Sequence, residues 1–111
     1  MFIPKTKTMI LAYIISSSAE EAEQIAMNLL EKKLVYSVNI IPSTRSFRRD
    51  GDQIVKLERT IVLAKTKSIL YQQIEDEVDT LQQTGTAIVF SMPFVQMSKR
   101  LFEQIQSNTL G

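Results

Sequence analysis

The sequence predicts an α+β domain of the ferredoxin-like kind, βαββαβ, with a long hairpin between its second and third strands and an extra C-terminal helix. Three observations predict it. Apolar residues change period along the chain, from short β-branched runs to three-and-four spacing and back, in the order strand, helix, strand, strand, helix, strand. The two central runs flank Asp50-Gly51, where glycine tolerates the positive φ that tight hairpin turns demand. A chain of 111 residues also suits one domain, because at this size roughly 65% of the unfolded surface can be buried without staples.

Met1 to Lys7, with Pro4 and two lysines, reads as a flexible lead-in, so the single folded domain is expected over residues 8–111. Thr8 to Ile15 (TMILAYII) is a strand apolar on both faces. Lys5, Lys7 and the apolar stretch before Ser16 to Ala19 imitate a secretory signal. Ser18 and Glu21, however, form an S-x-x-E capping box directly before a helical period, which favours a strand running into a helix and a cytoplasmic protein. Between Ala19 and Lys33 the residues Ala22, Ile25, Ala26, Leu29 and Leu30 make one apolar stripe.

Leu34 to Lys65 is the long hairpin: an apolar arm (LVYSVNIIP), a polar bend (STRSFRRDGD) and a second arm (QIVKLERTIVLAK). Thr66 or Ser68 is expected to cap a second helix whose Leu70, Ile74, Val78 and Leu81 share a face. Gly85 ends that segment, Thr86 to Met92 is the last strand, and Pro93 breaks it. Phe94, Met97, Leu101, Phe102 and Ile105 are expected to form the C-terminal helix, followed by a frayed SNTLG tail.

The helices of this architecture cover one sheet face, yet the first and last strands are apolar on both: Met9, Leu11, Tyr13 and Ile15 oppose Ile10, Ala12 and Ile14, and Ile88, Phe90 and Met92 oppose Ala87 and Val89. A large apolar sheet face marks an interface. A homo-oligomer packed sheet on sheet is the expectation, with coverage by the C-terminal helix as the alternative.

Composition excludes much chemistry. With neither Cys nor His, the chain has no disulfide, no thiolate, no imidazole base and none of the best zinc or copper ligands. No catalytic residue is predicted, no cofactor and no metal site. Asp50 and Asp52 read as turn residues, and Met9, Met27, Met92 and Met97 as core filling rather than copper ligands. A net charge of +1 gives no field to hold a nucleic acid, and the strand from Ile54 to Lys65 lacks the aromatics on which RNA-recognition modules of this fold stack bases. No apolar run approaches the ~20 residues of a membrane span. The basic cluster Arg45, Arg48 and Arg49, with Arg59 further along, reads either as solvated charge or as an anion-contacting patch.

The helix AEEAEQIAMNLLEKKL, then VNIIPSTRSF with Gly51 after it, the strand end Ala64-Lys65-Thr66, and Met92-Pro93 before the last helix resemble the CutA divalent-cation tolerance family over Ala19 to Asn108. The resemblance implies a tight homotrimer in which long hairpins wrap neighbouring subunits, and a cluster of polar residues between subunits. This chain departs from the family at that cluster. Ser37 stands where the family has Cys, and Phe47, Arg49 and Gly51 stand where it has an aromatic, Trp and Gly. Gln82 to Gly85 replace His-Pro-Tyr-Glu, and Arg59, beside Glu58, replaces a Glu.

The expected function is therefore that of a non-enzymatic, trimeric CutA-like protein of divalent-cation tolerance without direct metal binding. The alternative is a small-molecule sensor of the kind of the PII signalling proteins, which resemble this architecture and bind anions between subunits. On either reading the tentative ligand residues are Ser37, Asn39, Arg45, Arg49, Arg59, Lys65 and Gln82, with a small anion as ligand. A phosphatase-like enzyme of the same fold would need a Gly-rich anion loop, which three scattered glycines do not supply.

Overall fold

A computed structural model describes residues 8–111; the lead-in expected over residues 1–7 lies outside the described residues. The elements are β1 (Met9–Ser16), α1 (Ala19–Glu31), β2 (Ser37–Asp50), β3 (Gln53–Lys67), α2 (Tyr71–Leu81), β4 (Ile88–Pro93) and α3 (Lys99–Asn108). The four strands form one antiparallel sheet in the order β2-β3-β1-β4, the ferredoxin-like arrangement with an added helix.

The core lies between one sheet face and helices α1 and α2. Ala12 and Ile14 of β1 and Val62 and Ala64 of β3 meet Ala22, Ile25 and Leu29 of α1 and Ile74 and Val78 of α2. Each set occupies alternate strand positions or one helical stripe, so the sequence period alone aims it inward. The end of α1 is closed without glycine. Lys33 takes a positive φ of 57°, and the amides of Lys33 and Leu34 donate to the carbonyls of Leu30 and Leu29 in a Schellman pattern.

The opposite face is open. Register sets Ile41, Ile61, Ile15 and Ile88 in one row across the four strands, then Asn39, Leu63, Tyr13 and Phe90, then Ser37, Lys65, Leu11 and Met92. Ile41, Ile88, Phe90 and Met92 are each 41–46% exposed, and the Tyr13 and Phe90 rings stack at 4.8 Å between centroids. The helix α3 packs on β3 and covers only the end of this face, where the register partners Met9 and Lys67 are buried with Ile105.

Four expectations need correction. The polar stretch 43–52 is not a bend: it is strand as far as Asp50, paired with β3, and the turn is Gly51-Asp52 alone. Exposed two-stranded ladders bury little, so their polar sequence shows no strand-like alternation of apolar residues. The second helix is not capped by Thr66 or Ser68. It is entered through a 3-10 turn over Ser68–Leu70 without a side-chain cap, while Thr66 is a buried strand residue donating to the carbonyl of Leu34. The last helix starts at Lys99, capped by the Ser98 hydroxyl, so Phe94 and Met97 precede it. The tail is docked rather than frayed: Thr109 is buried, and the Leu110 amide donates to the Lys33 carbonyl.

Beyond Ser16 the sheet thins to β2 and β3, which continue together as an arm from the Thr44–Arg59 pair to Asp50–Gln53. At ~3.4 Å per residue the arm reaches about 20 Å past the sheet, and it gives the molecule its 45 Å long axis. Pro42 and Ser43 together oppose one residue of β3, a bulge in an edge strand, where proline's missing amide is tolerated. Ser43 sits at a φ of 55°. The bulge changes which residues share a face. Before it, the odd-numbered residues Ser37, Asn39 and Ile41 lie on the open face; after it, the odd-numbered Arg45, Phe47 and Arg49 lie on the other.

Candidate functional site

The seven expected ligand residues fall in separate places. Ser37, Asn39 and Lys65 come together on the open face, where the Lys65 ammonium donates to Ser37 Oγ at 3.3 Å and to Asn39 Oδ1 at 3.5 Å. Arg45 and Arg49 are exposed on the arm, on the face opposite to these three because of the bulge. Arg49 reaches only its own turn, donating to the Gly51 carbonyl at 3.5 Å. Gln82 is a positioning residue for the segment between α2 and β4. Its amide oxygen accepts from the Ala87 amide at 2.9 Å and its nitrogen donates to Asp79 at 3.3 Å.

Arg59 is the buried member, 8% exposed, and donates to Thr86 Oγ1 at 3.1 Å across the end of β1. Thr86 in turn shares a 2.6 Å hydrogen bond with Thr84. Alternation sets the two neighbours apart: Arg59 follows the open-face residues Ile61, Leu63 and Lys65, while Glu58 falls on the other side and is exposed. Both line a cleft of about 250 Å³ that Ser17, Ser18 and Ser43 also border.

Sequence reading understated two residues. Glu21, expected only as a capping partner, is fully buried and joins three elements. Ser18 Oγ accepts from the Glu21 amide as expected. The Glu21 carboxylate accepts from Ser16 Oγ at 2.6 Å, from the Ser17 amide at 3.2 Å and from the Gln83 amide at 2.7 Å. Burial pushes this carboxyl up, but the hydrogen bonds from Ser16, Gln83 and Ser17 outweigh it and hold it below the ordinary value. The spacing of Ser18 and Glu21 signals the cap; nothing local signals Gln83.

Lys67 is buried to 1% exposure, and no local sequence pattern signals it. Its ammonium donates to the carbonyls of Thr109 at 3.2 Å, Leu110 at 2.9 Å and Gly111 at 3.2 Å. Met27 and Met92, read as core, are 56% and 42% exposed; the first lies on the outer side of α1 and the second on the open sheet face. Among the described residues no three His, Cys, Asp or Glu side chains come together as a metal-ligand set, and no helix is long and apolar enough to cross a membrane.

Residues 10–108 match the model of the CutA1 divalent ion tolerance protein family. The divalent-cation tolerance protein CutA of Archaeoglobus fulgidus is 34% identical over 93 residues, covering 84% of this chain and 90% of that one. The chain belongs to the CutA family. The Thermus thermophilus CutA is 25% identical over 92 residues, covering 83% of this chain and 89% of that one. Among solved structures, one described as the periplasmic divalent cation tolerance protein CutA from Archaeoglobus fulgidus superposes with a TM-score of 0.84 at 32% identity, covering 90% and 97% of the two chains. CutA1 from Oryza sativa superposes with a TM-score of 0.88 over 96% and 97% of the chains at 19% identity, which speaks for the CutA fold alone.

Proposed function

We propose that this CutA chain acts in divalent-cation tolerance as a non-enzymatic homotrimer, whose part in tolerance runs through the assembly rather than through a copper site of its own. The observation that carries the reading is the open sheet face. Its rows of Ile, Leu, Tyr and Phe lie side by side across all four strands, and leaving them in water costs roughly 25 cal/mol per Å² of apolar surface. The arm supports the same reading, because it carries Phe47 and Ile54 at 58% and 67% exposure among the described residues. A neighbouring copy supplies cover for both. Light scattering at micromolar concentration is expected to give about three times 12.7 kDa. Phe90→Lys, which sets a charge in the middle row, is expected to yield smaller species; a monomeric wild type would refute the reading.

The donor chemistry supports an indirect role. Copper favours imidazole and thiolate, and the chain has neither His nor Cys. Calorimetric titration of tag-free protein with Cu(II) and with Cu(I) is expected to show no stoichiometric site tighter than ~1 μM. A submicromolar site would overturn the indirect role and direct attention to the exposed sulfurs of Met27 and Met92.

A further inference from the structure

We propose that the groove between the end of α1, the side of α2 and the docked tail binds a free α-amino acid with a branched apolar side chain. The groove measures about 350 Å³, at the lower end of the ~300–1,000 Å³ of small-molecule sites, and is lined by Lys32, Leu34, Gln73, Asp76, Glu77 and Leu110. Its charges include a pair of opposite sign: Lys32 Nζ lies 2.7 Å from Glu77 Oε1. Of the two ion pairs among the described residues, this one alone joins two elements. Asp76, the residue before Glu77, adds a second carboxylate to the same lining, and its Oδ1 accepts from Gln72 at 3.1 Å. Leu34 and Leu110 supply the apolar part.

The two signs select the ligand. Lys32 is exposed, and a pair so open to water contributes little to stability, so a ligand separates its partners at small cost. A molecule carrying both an ammonium and a carboxylate gives each partner a new counter-charge, whereas a simple amine leaves Lys32 unpaired and a simple acid leaves Glu77 unpaired. With two carboxylates against one ammonium in the lining, the ligand's ammonium is the better held of its two ends. Gln73, whose side chain has no hydrogen-bond partner among the described residues, can serve either end. The apolar side chain of the ligand then covers Leu110, which is 43% exposed. That wall is fixed before any ligand arrives: the Leu110 amide donates to the Lys33 carbonyl, and the Leu110 carbonyl accepts from Lys67. Every group belongs to one chain, and the groove borders the two helices that cover the sheet face opposite to the open one. The site is therefore independent of the homotrimer and goes beyond the proposed role in tolerance.

The test is calorimetric titration of the whole protein with L-leucine, L-leucinamide and N-acetyl-L-leucine, which share a side chain and carry both charges, the ammonium alone and the carboxylate alone. Saturable binding of one leucine per chain at ~1 mM or tighter is expected, with leucinamide at least about tenfold weaker and N-acetyl-leucine not saturating below ~10 mM. Lys32→Met, at an exposed position where folding is not at stake, should weaken leucine at least about tenfold, and Glu77→Gln should do the same. Bound leucine should also slow hydrogen exchange at the Leu110 amide. No leucine saturation below ~10 mM, unchanged leucine affinity in Lys32→Met, or an unchanged Leu110 exchange rate at saturation would each overturn the proposal. Leucinamide binding as tightly as leucine would overturn it in favour of a site for peptide N-termini, and N-acetyl-leucine doing so would overturn it in favour of peptide C-termini.

Discussion

Replacing Glu21 with alanine is expected to lower stability by about 3 kcal/mol, because it strands three donors that all point at one buried carboxylate. Two of them come from the last residue of β1 and the turn after it, and the third is the Gln83 amide, which holds the segment after α2 against the start of α1. Thermal melting should show a fall of roughly 10 °C. Glu21→Gln keeps the shape but turns an NH2 group toward one donor, so it should also destabilise. Its pH dependence is the sharper check. A carboxyl held below its ordinary value of 4.5 contributes stability that is complete above that value and is lost as the pH falls through the folded-state value. The gap between wild type and Glu21→Gln should therefore close on acidification below about pH 4.5. A gap of constant size from pH 7 to pH 3 would show that the carboxylate's charge contributes nothing.

The second large effect is expected at Lys67. Lys67→Met preserves the bulk of the side chain but removes the ammonium that gathers the carbonyls of Thr109, Leu110 and Gly111. Methionine needs no solvation, which offsets part of the loss, so about 2 kcal/mol is expected, and nearer 3 kcal/mol for Lys67→Ala, which also leaves a cavity. The more specific signature is local. The Leu110 amide, bonded to the Lys33 carbonyl, should exchange its hydrogen far faster in either variant, while amides of the central strands keep their relative protection. If Leu110 stays as protected as in the wild type, the tail is held by the packing of Thr109 and Ile105, not by the lysine.

Wherever burial wrote itself into the sequence, the fold was legible there. The stripe Ala22, Ile25, Ala26, Leu29, the two-faced first strand and the Leu70, Ile74, Val78 face gave element types and their order, and with them the ferredoxin-like sheet. The arm was misread as a bend because Arg45, Phe47, Arg48 and Arg49 stand in water on both sides, so no face is selected. The start of α3 was misplaced because Pro93 is a visible breaker, whereas the Ser98 cap comes five residues later in a segment without helical pattern. For the candidate site, residue type was legible and direction was not. Arg45, Arg49 and Arg59 are expected to share one ligand site with Ser37, Asn39 and Lys65. A single bulge sends the first two arginines to the far side of the arm, and a bulge has no reliable sequence mark when its positive-φ residue is serine and not glycine. Glu21 and Lys67 depend on partners 62 and 42 to 44 positions away, a separation over which no local pattern reports.

The bulge also settles a question of loop length. If the pairing of Ile41 with Ile61 ran on unchanged, Asp50 would face Asp52 and Gly51 alone would have to reverse the chain, which no hairpin does. By setting Pro42 and Ser43 against a single residue, β2 takes up one residue of excess length, and the reversal falls on two residues. Gly51, the first of them, carries a φ of 62° with no atom near its missing side chain, the conformation a two-residue reversal with glycine in first place requires. The kink near the root of the arm and the turn at its tip are thus a matched pair. A chain one residue shorter at Ser43 could keep the same tip and the same cross-strand partners with a straight arm. One shortened at the tip could not, so length changes in this arm are absorbed at its root.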